Sequence, residues 1–106
     1  MSPTTYQIVF IRHQNRSLYG ELIQVMTDRR TVWLRPLALC IETLDPENCT
    51  VFDVRNGPDI ICPEHLHQPA VDADWLKLLE KMSSHKETCD FTQANQHLRL
   101  FLKALF

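Results

Sequence analysis

Apolar residues in the first half of the chain fall at every second position or in short unbroken runs. Near the end they recur every third or fourth residue. The first spacing is that of strands and the second that of helices. Residues 6–13 form a first strand, apolar on both faces like a strand inside a sheet, and Gln14-Asn-Arg-Ser17 is a polar turn. A second strand covers 18–27, with Leu18, Gly20, Leu22, Gln24 and Met26 on one face. Tyr19, Glu21, Ile23, Val25 and Thr27 take the other. Asp28-Arg29-Arg30 turns the chain into a third strand over 31–41. The hairpin 18–41 is therefore the unit around which the chain is organised. Gly20 inside it predicts a bulge, a bend or a close backbone approach. Pro36, which has no N–H to donate, predicts an edge, a bulge or the end of the third strand.

Residues 49–55 alternate as a fourth strand, and Asn56-Gly57 signals a hairpin into a short fifth strand over 59–62. Residues 63–69, with two prolines, read as a connector. Asp72 is placed to cap a helix over 73–84 whose apolar face is Trp75, Leu78, Leu79 and Met82. Asp90 and Gln93 have the spacing of a capping box that opens a last helix running to about 105. Its stripe is Ala94, Leu98, Phe101, Leu102 and Leu105, with Leu100, Ala104 and Phe106 apolar outside it. The pattern predicts one α+β domain over 1–106. A small, strongly bent antiparallel sheet or SH3-like barrel of about five strands (6–62) precedes two C-terminal helices (72–105).

Composition removes several function classes. The chain has 106 residues, near the common domain size, and only two glycines. No glycine-rich phosphate loop can be built from them, and neither the dinucleotide nor the Walker pattern occurs. No apolar run approaches the roughly 20 residues that cross a bilayer, and residues 1–7 lack the parts of a signal peptide. A cytoplasmic setting is expected, in which the four cysteines are reduced thiols rather than a disulfide frame. The net charge is small, −2, but unevenly spread. Residues 1–40 carry five arginines against two acids, whereas 41–106 carry six basic groups against eleven acidic ones and hold all four lysines. Arginine's planar fork suits carboxylates, phosphates and aromatic faces.

Three constellations are candidates for chemistry. Cys62-Pro-Glu-His65-Leu-His67 gathers three zinc-type ligands, but C-x2-H-x-H is not a standard zinc spacing, so no metal or cofactor is assigned. Cys49 and Cys62 flank the predicted fourth and fifth strands and could face each other across that hairpin. No strained elbow surrounds a serine, and Asp72 and Asp74 are explained by the helix start they occupy. No catalytic residue is assigned, and the protein is not expected to be an enzyme. The third constellation is a surface. Arg29 and Arg30 lie at the hairpin tip, with Trp33 and Arg35 alternating along the third strand. Arginines interleaved with an aromatic suit an acidic protein surface or single-stranded nucleic acid.

A basic first strand, a G-x-L strand, a turn and Val32-Trp-Leu-Arg-Pro-Leu-Ala-Leu39 resemble small SH3-like or Sm-like barrels. The chain departs from Sm proteins where they place an acid, since the sixth residue past Gly20 is Met26. It also places its helices after the barrel. Gly20-Glu-Leu-Ile-Gln-Val25, Trp33-Leu-Arg-Pro-Leu-Ala-Leu39, Phe52-Asp-Val-Arg55 and 63–75 together resemble blocks of a family of small conserved cyanobacterial proteins of uncharacterised function. That resemblance covers nearly the whole chain. It implies a cytoplasmic cyanobacterial setting, with photosynthetic assembly as the pathway it suggests, and brings no catalytic residue or substrate.

The sequence thus points to a non-enzymatic protein-interaction or assembly module. Its partner surface is Arg29, Arg30, Trp33 and Arg35. A homodimer is expected through Leu100, Phe101, Ala104, Leu105 and Phe106, since a terminal helix that is apolar nearly all round needs a second chain to cover it. The alternative is an RNA-binding barrel using the same Arg/Trp surface, and a weaker one is a zinc- or thiol-dependent site at Cys62, His65 and His67.

Overall fold

The computed structural model describes residues 7–42, 49–84 and 91–106. Among the described residues six antiparallel strands precede two helices: β1 (Gln7–His13), β2 (Arg16–Met26), β3 (Thr31–Glu42), β4 (Cys49–Asp53), β5 (Ile60–Pro63), β6 (His67–Pro69), α1 (Asp72–Ser84) and α2 (Phe91–Leu105). The sheet order is β4-β3-β2-β1-β6, with β5 also on β3. The fold is α+β, and the sheet is bent but not closed into a barrel.

The bend originates in β3. Its first half, residues 31–34, pairs with β5, and residues 38–42 pair with β4 on the same edge. β4 and β5 therefore lie end to end along β3 instead of pairing with each other, and Asn56-Gly57 is a crossover rather than a hairpin turn. Pro36 stands in the gap between the two partners, where a missing N–H interrupts no ladder on that edge. Opposite it on β2 is Gly20, and the register shifts there so that Leu37 is the extra residue of a bulge. A Cβ on Gly20 would stand 3.0 Å from the Arg35 carbonyl oxygen, so only glycine lets the two backbones approach this closely. Of the outcomes expected for Gly20 and Pro36, the structure combines the bulge with the close approach.

A second shift, between Leu22 and Gln24, makes Ile23 an extra residue. A one-residue insertion exchanges the faces of everything beyond it. The uniform alternation expected over 18–27 therefore breaks at Ile23. Leu18 and Leu22 are buried, and past the bulge Val25 packs against the core while Gln24 is exposed.

Each helix takes one face of the sheet. α2 lays Ala94, Leu98 and Phe101 on a core of Val9, Ile11, Leu18, Leu22, Val32, Leu34 and Leu39, with Leu102 and Leu105 at its margin. This is the apolar stripe expected from the 3.6-residue period. Gly57 holds the crossover close against α2, since a Cβ there would meet Asn95 Oδ1 and Leu98 Cδ2 at 3.2 Å. The alternate residues of the strands face α1. Tyr19 stacks between Phe10 of β1 (centroids 5.6 Å apart) and Trp75 of α1 (6.3 Å), and Ala38, opposite Tyr19, is fully buried. Among the described side chains of α1, Leu78 and Met82 are the buried ones, on the face expected for them.

Two features escaped the sequence pattern. The connector 63–69 contains a 3-10 turn, Glu64–Leu66, and the short β6, which pairs with residues 9–11 of β1. The α1 helix begins at Asp72 itself, and the Val71 carbonyl accepts the N–H groups of Asp74 and Trp75. The proposed capping residue Asp90 lies outside the described residues.

Candidate protein-interaction surface

α1 covers only the half of its sheet face around Tyr19 and Ala38. The other half belongs to the β2–β3 hairpin tip and β5, and it carries the residues singled out by sequence. Trp33 sits opposite Gln24 on β2 and Ile61 on β5, and Arg35 sits opposite Glu21. Trp33 is half-buried, whereas Ile61 is 55% exposed. Large apolar side chains paired across neighbouring strands form a small greasy centre, and Gln24 and Arg35 give it a polar margin.

Asp59, just before β5, fixes that centre. Its Oδ2 accepts the Trp33 indole N–H at 3.0 Å, and its Oδ1 accepts the Arg35 Nε–H at 3.3 Å. One carboxylate thus holds the ring by its polar edge and keeps the guanidinium beside it. It also places a negative charge in the middle of the patch, so Arg35 is already paired before any phosphate arrives. Trp33 and Arg35 are brought together by a residue that sequence reasoning assigned only to a strand.

Arg29 and Arg30 are exposed at the tip, where residues 27–29 make a 3-10 turn. Arg30 takes a left-handed conformation (φ 54°) to leave it, donates its N–H to the Thr27 carbonyl and accepts the Glu64 N–H on its own carbonyl at 2.8 Å. The last bond ties the tip to the turn after β5, so the two arginines are presented on an anchored loop. A groove of about 320 Å³ lined by Gln24, Val25, Met26, Thr27, Asp28 and Arg29 runs beside them.

The remaining arginines of the basic half are placed elsewhere. Arg12 makes a two-pronged pair with Glu42 at 2.8 and 3.0 Å, which raises the guanidinium pKa and lowers that of the carboxyl. This pair joins the basic half to the acidic half within one chain.

The five residues expected at a dimer interface separate into two groups. Phe101 has no exposure and lies inside the chain's own core, and Leu105 packs partly against that core. A period-3.6 stripe cannot distinguish a surface that meets the sheet from one that meets another chain. Leu100 and Phe106 are 55% and 67% exposed, and Ala104 is exposed with them.

Cys62, His65 and His67 do not converge. Cys62 is buried in the core opposite Val32, and burial pushes its thiol up to about 11. His65 is exposed on the 3-10 turn, and His67 directs Nδ1 at the Glu64 carbonyl. Among the described residues no three His, Cys, Asp or Glu side chains assemble as a metal site. Cys49 and Cys62 cannot face each other either. They pair with Glu42 and Val32, ten residues apart on β3, which is roughly 30 Å of strand.

Among the described residues no helix is long and apolar enough to cross a membrane. No family model, curated protein or solved structure matches the chain.

Proposed function

We propose that this protein is a non-enzymatic interaction module that docks a protein partner on the open half of its sheet. Trp33 and Ile61 supply the apolar anchor, Arg35 the polar margin, and Arg29 and Arg30 the charged rim. The observation that carries this reading is the pairing of a half-buried Trp33 with a largely exposed Ile61 on a face that α1 leaves uncovered. Interfaces draw their energy from such aromatic and arginine anchors, ringed by polar groups that exclude water. The partner that fits presents one or two apolar side chains to Trp33 and Ile61, and carboxylates to Arg29 and Arg30. Asp59 at the centre favours a protein over a nucleic acid, because a phosphate backbone laid across the patch would meet its charge. The setting is the cyanobacterial one implied by the resemblance of the sequence blocks.

A photo-crosslinking side chain at position 61, introduced in cells, tests the surface. Position 76 on α1 is the control, since Leu76 is equally exposed but lies on a different element. A protein adduct at 61 that is absent at 76 and weakened by Arg29→Glu/Arg30→Glu is the expected result. Adducts to RNA alone, or the same yield at both positions, would overturn the reading.

A further inference from the structure

Cysteine usage takes a form in the fold that spacing along the chain does not reveal. Cys40 of β3 is opposite Val51 and Cys49 of β4 is opposite Glu42, so the two cysteines are diagonal neighbours on the same face of adjacent strands. The Lys81 ammonium reaches the Cys49 sulfur from α1 and donates to it at 3.5 Å. The cysteines differ in character. Burial first and the neighbouring Cys49 second push the Cys40 thiol up to about 12, against the pull of Lys81, so Cys40 keeps its proton, while the ammonium makes its direct contact with Cys49. Both are partly exposed, so a small oxidant reaches them, whereas Cys62 has no exposure at all.

We propose that Cys40 and Cys49 form a two-cysteine oxidation site that takes a hydroperoxide as oxidant, with Cys49 as the attacking sulfur and Cys40 as the resolving one. In the first step the Cys49 sulfur attacks one peroxide oxygen and the O–O bond breaks. The other oxygen leaves as water or an alcohol with the Cys49 proton, and Cys49 becomes a sulfenic acid. Lys81 offsets the negative charge that develops as that oxygen departs. In the second step the Cys40 sulfur attacks the Cys49 sulfur, the S–S bond forms and the S–O bond breaks. The hydroxide leaves as water with the Cys40 proton. Two thiols and one peroxide give one disulfide and two waters or a water and an alcohol. The sulfurs lose two electrons and the peroxide gains them. Diagonal positions stand somewhat farther apart than a disulfide spans, and Cys49, the first residue of β4, is where the strand end can close that difference.

The test treats the whole protein with one equivalent of hydrogen peroxide and maps the product without reduction. Trypsin leaves both cysteines in peptide 31–55, because the Arg35–Pro36 bond resists it, and cleavage after Glu42 and Glu47 then separates them. The expected first product is a peptide pair joined through Cys40 and Cys49, 2 Da lighter than the two thiols together. Cys40→Ser should leave a Cys49 sulfenic acid that dimedone traps. Lys81→Met should slow the reaction roughly tenfold, the order set by one screened unit charge beside the sulfur. Circular dichroism of each variant reports whether it is folded. A first product that links Cys62 or Cys89, joins two chains, or carries Cys49 as sulfinic acid while Cys40 is present would overturn the proposal.

Discussion

Phe101 and Leu100 are neighbours in the chain, and both were expected at a dimer interface, yet the fold gives them opposite energetic roles. Phe101 has no exposure and touches the core that joins α2 to the sheet. An aromatic side chain takes roughly 150–250 Å² out of water, of which an alanine would keep a minor share. At about 25 cal/mol per Å² the lost transfer energy of Phe101→Ala is about 3–4 kcal/mol, inside the range measured for such truncations. A domain of this size has about 5–15 kcal/mol in all, so the variant would lose a large part of its stability. With a urea m-value of about 1–1.5 kcal/mol/M, the midpoint should fall by about 2–4 M. Leu100→Ala, at 55% exposure, should stay within about 0.5 kcal/mol of the parent. Chemical denaturation followed by far-UV circular dichroism measures both. A shift below about 1 kcal/mol for Phe101→Ala, or equal shifts for the two variants, would refute the placement of α2.

Other consequences can be measured as directly. Gly20→Ala should destabilise by about 1–2 kcal/mol, because the new methyl meets the Arg35 backbone carbonyl at 3.0 Å rather than a side chain able to swing away. An unchanged melting temperature would show that the bulge yields at little cost. Self-association through the exposed Leu100 and Phe106 predicts that Leu100→Asp and Phe106→Asp yield a monomer by light scattering, with a urea midpoint lowered only by the lost association. A parent protein already monomeric at high concentration would end the idea of self-association through α2. Hydrogen bonding and pairing with Arg55 hold the Asp53 carboxyl below its ordinary value. A depressed carboxyl stabilises above the unfolded value near 4, and that contribution is lost as pH falls through the folded value, where the unfolded state binds protons first. Asp53→Asn should therefore flatten the acid limb of a pH series of melts and leave the slope above pH 6 as it was.

Periodicity alone was enough for the elements whose partners are local or whose faces are uniform. The stripe of α2, the inward residues of α1 and the β2–β3 hairpin follow from spacings of 3.6 and 2 that any packed helix or strand imposes. Gly20 and Pro36 announced an irregularity because neither residue suits the middle of a regular strand. What the spacing could not carry was which edge each later strand would join. The Asn56-Gly57 signal suits a hairpin equally well as a crossover, and only the vacant edge of β3 beyond the Pro36 bulge decided that β4 and β5 lie end to end. That one choice separates Cys49 from Cys62 and brings it beside Cys40. It also places Ile61 and Asp59 against Trp33. β6 was illegible because His67-Gln-Pro69 has no strand pattern of its own and takes its conformation from the edge of β1. The bulge at Ile23 shows the limit most clearly: one inserted residue reverses which side chains meet the core. Its position depends on how two strands settle against each other, a property of the pair that neither strand carries alone.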